Sequence, residues 1–214
     1  MLNRLKLIII NILAIWYFRK KIFHKAEKYT QYLLKEAIKR RDTKAQALFL
    51  GNMALIYKEK GEFQKAIHFC EEALQFNITE AQKLYLSHIL GEIAYLKGDY
   101  KKAIYNLSKA EEIALYFGYS KQLIEIKYLL GLSNALMNDE YKAVTHLEEA
   151  LKIAKSYRYY YYEGYANLYL AQVYEKFNKT DKVIPHYEEA IRILKRIGAK
   201  GIAKEVEQSF KNFS

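Results

Sequence analysis

The sequence is short of nearly everything that builds a sheet or a chemical centre. Among 214 residues there is one cysteine, Cys70, one proline, Pro185, and nine glycines. One cysteine cannot close an intramolecular disulfide and leaves no cysteine-based zinc site. So little proline and glycine is too little turn chemistry for a chain of many short strands, which moves the expectation to an all-helical fold. The glycines fall singly, so no glycine-rich loop is available to cradle a phosphate. The five histidines (His24, His68, His88, His146, His186) are scattered. None forms an i, i+4 ligand pair with an acidic residue beside a third ligand, so no metal site is expected. The paired glutamates (Glu71–Glu72, Glu111–Glu112, Glu148–Glu149, Glu188–Glu189) recur at regular intervals. Recurrence marks a solvated helix face and not a general acid–base pair. The expectation is a protein without catalysis, cofactor or metal.

What is abundant is equally directive. Hydrophobic residues make up 51% and charged residues 28%, a composition that can bury a core. Tyrosine occurs 21 times. The net charge of +11 is loaded on one end: residues 1–44 hold 12 Lys or Arg against Glu27, Glu36 and Asp42. Residues 45–191 hold 17 basic and 19 acidic residues, which argues against a basic nucleic-acid reading face.

Four stretches align on one another: MALIYKEKGEFQKAIHFCEEAL from Met53, LGEIAYLKGDYKKAIYNLSKAEEI from Leu90, LGLSNALMNDEYKAVTHLEEAL from Leu130 and LAQVYEKFNKTDKVIPHYEEAI from Leu170. A small residue (Ala54, Gly91, Gly131, Ala171) is followed by Ala66, Ala103, Ala143 and Val183, then by Ala73, Ala110, Ala150 and Ala190. Gly61, Gly98, Asn138 and Asn178 punctuate each stretch, and the offset is 37 residues once and 40 twice. This grammar predicts two antiparallel helices per repeat, joined by a short turn, with small residues at the close approaches. Asp99 and Asp139 stand where N-caps belong. Pro185 is tolerable if its helix starts near Asp181, whereas an earlier start predicts a kink. Residues 199–214 read as one more amphipathic helix, with Ile202, Val206 and Phe210 on one side, capping the array.

The pattern resembles the tetratricopeptide repeat in its longer variant of roughly 40 residues. Leu50, Met53, Ala54, Tyr57, Gly61, Ala66, Cys70 and Ala73 fall on that family's motif positions. The large residue late in the second helix is Cys70, Leu107, Leu147 and Tyr187 in turn, and the family's proline at the repeat end is absent. The resemblance implies a right-handed α-solenoid of stacked antiparallel helix pairs, with four repeats over residues 44–198. It also implies a protein–protein interaction scaffold, or, as a second reading, a regulatory peptide sensor whose curvature changes on binding.

Residues 1–43 allow two readings. Leu7–Phe18 is almost continuously apolar, broken only by Asn11, and Arg19, Lys20 and Lys21 follow at once. As a membrane anchor, residues 1–20 would place Trp16 and Tyr17 at the interface with Arg19, Lys20 and Lys21, leaving the repeats on the cytoplasmic side and Met1 outside. Alternatively Leu13, Ala14, Tyr17, Phe23, Ala26 and Leu34 match Met53, Ala54, Tyr57, Phe63, Ala66 and Leu74 at a 40-residue offset. Residues 1–20 and the basic helix over 21–43 would then be a degenerate fifth repeat, whose first helix should show a polar outer face.

In the family the first helices line the concave face. Projecting the register gives candidate groove residues Leu48, Gly51, Leu55 and Lys58; Tyr85, His88, Glu92 and Tyr95; Glu125, Tyr128, Leu132 and Ala135; Tyr165, Leu168, Gln172 and Glu175. The lysines and asparagines with which some family members grip a carboxylate terminus are absent from these positions. A tyrosine-rich, apolar groove instead suits an amphipathic helix or extended peptide of a protein partner. The aromatic run Tyr157 and Tyr159–Tyr162 is expected either to be an exposed patch or to fill a repeat junction.

Overall fold

The helices are set by how the chain reverses. The computed structural model describes residues 2–213, which form eleven α-helices and no strand. These are α1 (Leu2–Arg19), α2 (Phe23–Lys39), α3 (Thr43–Glu59), α4 (Phe63–Leu74), α5 (Glu80–Leu96), α6 (Tyr100–Phe117), α7 (Ser120–Leu136), α8 (Glu140–Ser156), α9 (Tyr160–Lys176), α10 (Thr180–Arg196) and α11 (Lys200–Phe213). Met1, whose side of a bilayer the anchor reading assigns, and Ser214 lie outside the described residues.

Nine of the ten junctions pass through one residue in the left-handed region: Lys21, Arg41, Gly61, Gly98, Gly118, Asn138, Arg158, Asn178 and Gly198. At each, the following N–H donates back to a carbonyl five residues earlier, as Glu62 N does to Tyr57 O at 2.9 Å. This is the helix stop in which a left-handed residue lets a late N–H satisfy an orphan carbonyl. The predicted turn residues Gly61, Gly98, Asn138 and Asn178 are all used this way. Lys21, Arg41 and Arg158 do the same without the freedom of glycine. The exception is the link between α4 and α5. Helix α4 is only 12 residues long, and Thr79 and Gln82 cap α5 reciprocally, Thr79 N donating to Gln82 Oε1 and Gln82 N to Thr79 Oγ1. That shortened helix accounts for the single 37-residue offset. The N-caps Asp99 and Asp139 accept from Lys102 N and Lys142 N, and Asp42 caps α3 in the same way.

The recurring small residues sit where helices touch. Ala54, Ala66 and Ala73, Ala103 and Ala110, Ala143 and Ala150, and Ala171 and Ala190 are wholly buried. So is the large residue late in each second helix, Cys70, Leu107, Leu147 and Tyr187. A Cβ on Gly131 would stand 2.7 Å from Leu147 Cγ and 3.0 Å from the Ala143 carbonyl oxygen. Helix α10 starts at Thr180, so Pro185 lies in its second turn and the Asp181 carbonyl loses its in-helix donor.

Packing divides the chain into two compact units, Met1–Ile93 and Ala94–Ser214. The first holds α1 to α4 and most of α5, around Leu50, Met53, Tyr57, Cys70, Leu86 and Ile93. The second holds α6 to α11 around Ile124, Leu147, Leu170, Tyr187 and Leu194. Helix α11 covers the end of this second core: Ala203 and Val206 are buried and Phe210 stacks on Tyr187, the capping arrangement the sequence predicts.

In the first unit α1 packs as a repeat helix. Ala14 is buried, and Tyr17 stacks on Tyr29 of α2 with centroids 5.5 Å apart. Forty residues on, Tyr57 stacks on Phe69 in the same register, and Tyr174 stacks on His186 in the last repeat. Among the described residues no helix is long and apolar enough to cross a membrane. The polar outer face expected of a first repeat helix is nonetheless missing: Leu5, Ile8, Ile9, Ile12, Ile15 and Trp16 are all exposed.

Two substitutions test this packing. Gly131→Ala forces Leu147 or the Ala143 backbone to move and should lower unfolding free energy by about 1–3 kcal/mol in denaturant titration. Arg158→Gly removes left-handed strain in an exposed turn and should raise it by about 0.5–1 kcal/mol.

Candidate functional site

The first helices of the two N-terminal layers, α1 and α3, do not close on one another. Between them lie a cleft of about 340 Å³ and a second of about 230 Å³, sharing Asn11 as a lining residue. Helix α1 contributes Ile8 to the smaller cleft, and Ile15, Phe18 and Arg19 to the larger. Helix α3 contributes Phe49, and Leu48, Asn52 and Leu55, on the facing side. Helix α2 supplies Thr30, Leu33 and Ala37, which are buried. The result is a groove with largely apolar walls; Arg40 lines the smaller cleft together with Glu36 and Asp42, and Arg19 lines the larger. Of the predicted groove residues, Leu48 and Leu55 line it. Ile15, Phe18 and Arg19 also line it and lie outside the four-repeat projection, because the apolar run of α1 reads equally as an anchor. The 40-residue match of Leu13, Ala14 and Tyr17 was the signal that could have found them.

The remaining candidates of this unit support the stack. Lys58 is buried, and its ammonium meets Glu92 at 2.6 Å and Glu59 at 3.0 Å, joining α3 to α5. Tyr85 lies against Gly51, 3.3 Å from where a Cβ would stand, and burial pushes its phenol pKa up. His88 is half-buried on the same helix. Tyr57, buried beneath, donates to Glu27 at 2.6 Å, and its pKa is pushed up to about 12 by burial and then by that hydrogen bond. Burial also raises the Cys70 thiol to about 12, which keeps it protonated and unreactive.

In the second unit the tyrosines form a connected ladder. Tyr128 is buried, donates to the Tyr162 carbonyl and meets Tyr169 edge-on. Tyr165 packs against Tyr161 and Tyr169, with centroids 4.9 and 5.8 Å away. Glu125 accepts from the Tyr162 hydroxyl at 2.8 Å, and Glu175 accepts from Tyr187 at 3.0 Å. Tyr95 packs on Tyr100, and Leu132 and Leu168 belong to the core. Gln172 and Glu175 are exposed. The aromatic run divides between its two expected roles. Tyr159 and Tyr162 pack against the core, while Tyr157, Tyr160 and Tyr161 are exposed, with Arg196 over the Tyr160 ring.

One cluster departs from the sequence reading. Glu111 of α6 is not a solvated member of its pair; its side chain is 17% exposed and holds the Lys127 ammonium of α7 at 2.6 Å. Glu149 of α8 holds the same ammonium from the other side. His146 Nδ1 lies 3.7 Å from Glu111 Oε1, and Glu111, His146 and Glu149 bring ligand atoms within 4.8 Å of one another. A periodic pattern along single helices could not reveal a grouping that three helices assemble. Lys127 already supplies its cation, so the cluster works as an ion network that ties α6, α7 and α8. Burial would depress the lysine, but the two carboxylates outweigh it and raise its pKa.

Both inner histidines are held below their ordinary value of 6.5, first by burial. Glu111 pulls His146 the other way, as Glu148 does His186, without reversing the shift. The folded state therefore binds fewer protons than the unfolded state below that value. The stability from neutral histidine is fully present above about pH 6.5 and is lost as pH falls towards the folded pKa values. Melting temperature should drop between pH 7 and 5, and the double substitution His146→Gln, His186→Gln should flatten that drop. Lys127→Met leaves Glu111 and Glu149 facing each other and should cost about 1.5–3 kcal/mol of unfolding free energy.

Tetratricopeptide repeat models match residues 122–196 and 47–77. No curated protein sequence matches the chain. Solved structures similar to it include the apo form of RapI, 14% identical, with a TM-score of 0.81 over 94% of this chain and 74% of that one. BtubC from P. vanneervenii is 20% identical, with a TM-score of 0.76 over 88% and 80%. The TPR-like repeats of a putative kinesin light chain from Podosopora anserina are 16% identical, with a TM-score of 0.70 over 91% and 97%. At these identities the likeness is one of fold. With two matching repeat models, paired helices throughout and the motif residues buried where the pairs touch, the chain is a tetratricopeptide repeat protein.

Proposed function

We propose that the chain is a non-enzymatic interaction module that takes an amphipathic helix or extended peptide of a partner protein into the groove between α1 and α3. The observation that carries this reading is the groove itself: exposed apolar side chains on both walls, Ile15 and Leu48, over an α2 floor that is already packed. Burying a partner's aliphatic or aromatic side chain there supplies affinity, since a fully buried side chain of that size contributes about 1.5–3 kcal/mol. Arg19, in the larger cleft, favours a partner with an acidic residue flanking its apolar stripe.

The tyrosine ladder of the second unit is proposed as a further contact surface. Tyr165, Gln172 and Glu175 carry its accessible part, and Tyr128 and Leu168 hold it rigid. Tyrosine buries large area at low entropic cost and suits such a surface. Lys58, Glu92 and Glu125 act by fixing the helices around the contacts, because their charges are already paired or hydrogen-bonded.

A photo-crosslinking residue at Leu48 should capture a discrete partner from cell extract, whereas one at the more exposed Leu115 should not. With the crosslinking residue moved to Asn52 of the same cleft, Leu48→Asp should lower capture about ten-fold or more while leaving the melting temperature unchanged. Capture that is indifferent to Leu48→Asp would remove the groove from the account.

A further inference from the structure

The outer face of α1 does something the groove does not need. Leu5, Ile9, Ile12 and Trp16, none of which lines the clefts, are between 49% and 59% exposed, and they share one side of the helix with Ile8 and Ile15 at its groove edge. From Leu5 to Arg19 this strip runs about 21 Å at helical rise. An apolar strip of this length left open on a repeat helix marks a contact surface. The opposite side of α1 is occupied by α2, so the strip is available only as a face laid flat on something.

Charge says what that something is. Between Leu5 and Ala26 there are five basic residues (Lys6, Arg19, Lys20, Lys21, Lys25) and no carboxylate. The acidic residues of the first 44 are committed internally: Glu27 to Tyr57 and Lys60, Glu36 to Lys39, and Asp42 to the α3 N-terminus. A second copy would bring this basic end against its own like charge. An anionic lipid surface satisfies both the apolar strip and its basic margin. We propose that α1 lies in the plane of a bilayer interface carrying anionic lipid. Its aliphatic strip and Trp16 enter the headgroup–acyl boundary, and Lys20 and Lys21, which line neither cleft, meet lipid phosphates. This goes beyond the peptide-binding reading and does not depend on it.

Trp16 is the sole tryptophan, so its emission reports the strip directly. Full-length protein mixed with phosphatidylcholine vesicles doped with phosphatidylglycerol should co-sediment and shift its tryptophan emission to the blue. Vesicles of phosphatidylcholine alone should do neither, and salt near 1 M, where screening acts within about 3 Å, should release the protein. Lys20→Glu with Lys21→Glu should weaken binding about ten-fold or more, as should Ile9→Ser with Ile12→Ser. Native protection of Cys70 from alkylation shows that each variant is folded, and the lipid and salt series on unaltered protein decides the matter without them. No co-sedimentation with anionic vesicles, or equal binding to neutral ones, overturns the proposal. So does a lipid-free dimer that itself shields Trp16, which would assign the face to a second copy. Leu48→Asp should leave vesicle binding intact, which separates this face from the groove.

Discussion

Close approach between helices is the constraint on which the rest of this structure depends. The wholly buried alanines at Ala54, Ala66, Ala103, Ala143, Ala150 and Ala190 are contact points where a larger side chain would push two helices apart. Gly131 shows the limit, with no room for even one methyl group beside Leu147. Once the pairs are this close, the larger residues between them can be dry, and packing at interior density makes each repeat sensitive to a single methylene. The left-handed stops work to the same end. They return the chain in two or three residues, so that successive helices have no slack with which to drift from register.

Much of this was legible in the sequence, because a repeat states each of its rules several times. The turns at Gly61, Gly98, Asn138 and Asn178, the caps at Asp99 and Asp139 and the α11 cap follow from local residue chemistry. Lys21, Arg41 and Arg158 are hidden as turn residues because nothing about lysine or arginine favours a left-handed conformation; the helix stop, in which the next N–H closes on a carbonyl five residues back, requires it. The Lys127 network was hidden for a different reason. Its members come from α6, α7 and α8, and each alone has the appearance of an ordinary surface charge.

The groove was half legible. Repeat register puts Leu48 and Leu55 on the inward face, and they line a cleft there. It also named Lys58, Tyr128 and Leu168, which packing has buried. Register identifies the helix that faces inward but not how near the next layer comes. Where neighbouring first helices are joined by Tyr128 and Tyr169, the inward residues become structure. Where α1 and α3 stand apart, they remain available. The apolar run of α1 follows from the same fact: one side completes a repeat, a second opens on the groove, and a third faces outwards. A helix with three apolar duties has no polar face left to distinguish it from an anchor.

The central claim is therefore that α1 is a folded layer of the array, since both the groove and the outer face exist only if it is. Amide hydrogen exchange on the intact protein in detergent-free buffer tests this most directly. Residues 8–18 of α1 should exchange with protection comparable to α3, within the same cooperative unit. Free exchange along α1, with α3 and α4 still protected, would contradict the account.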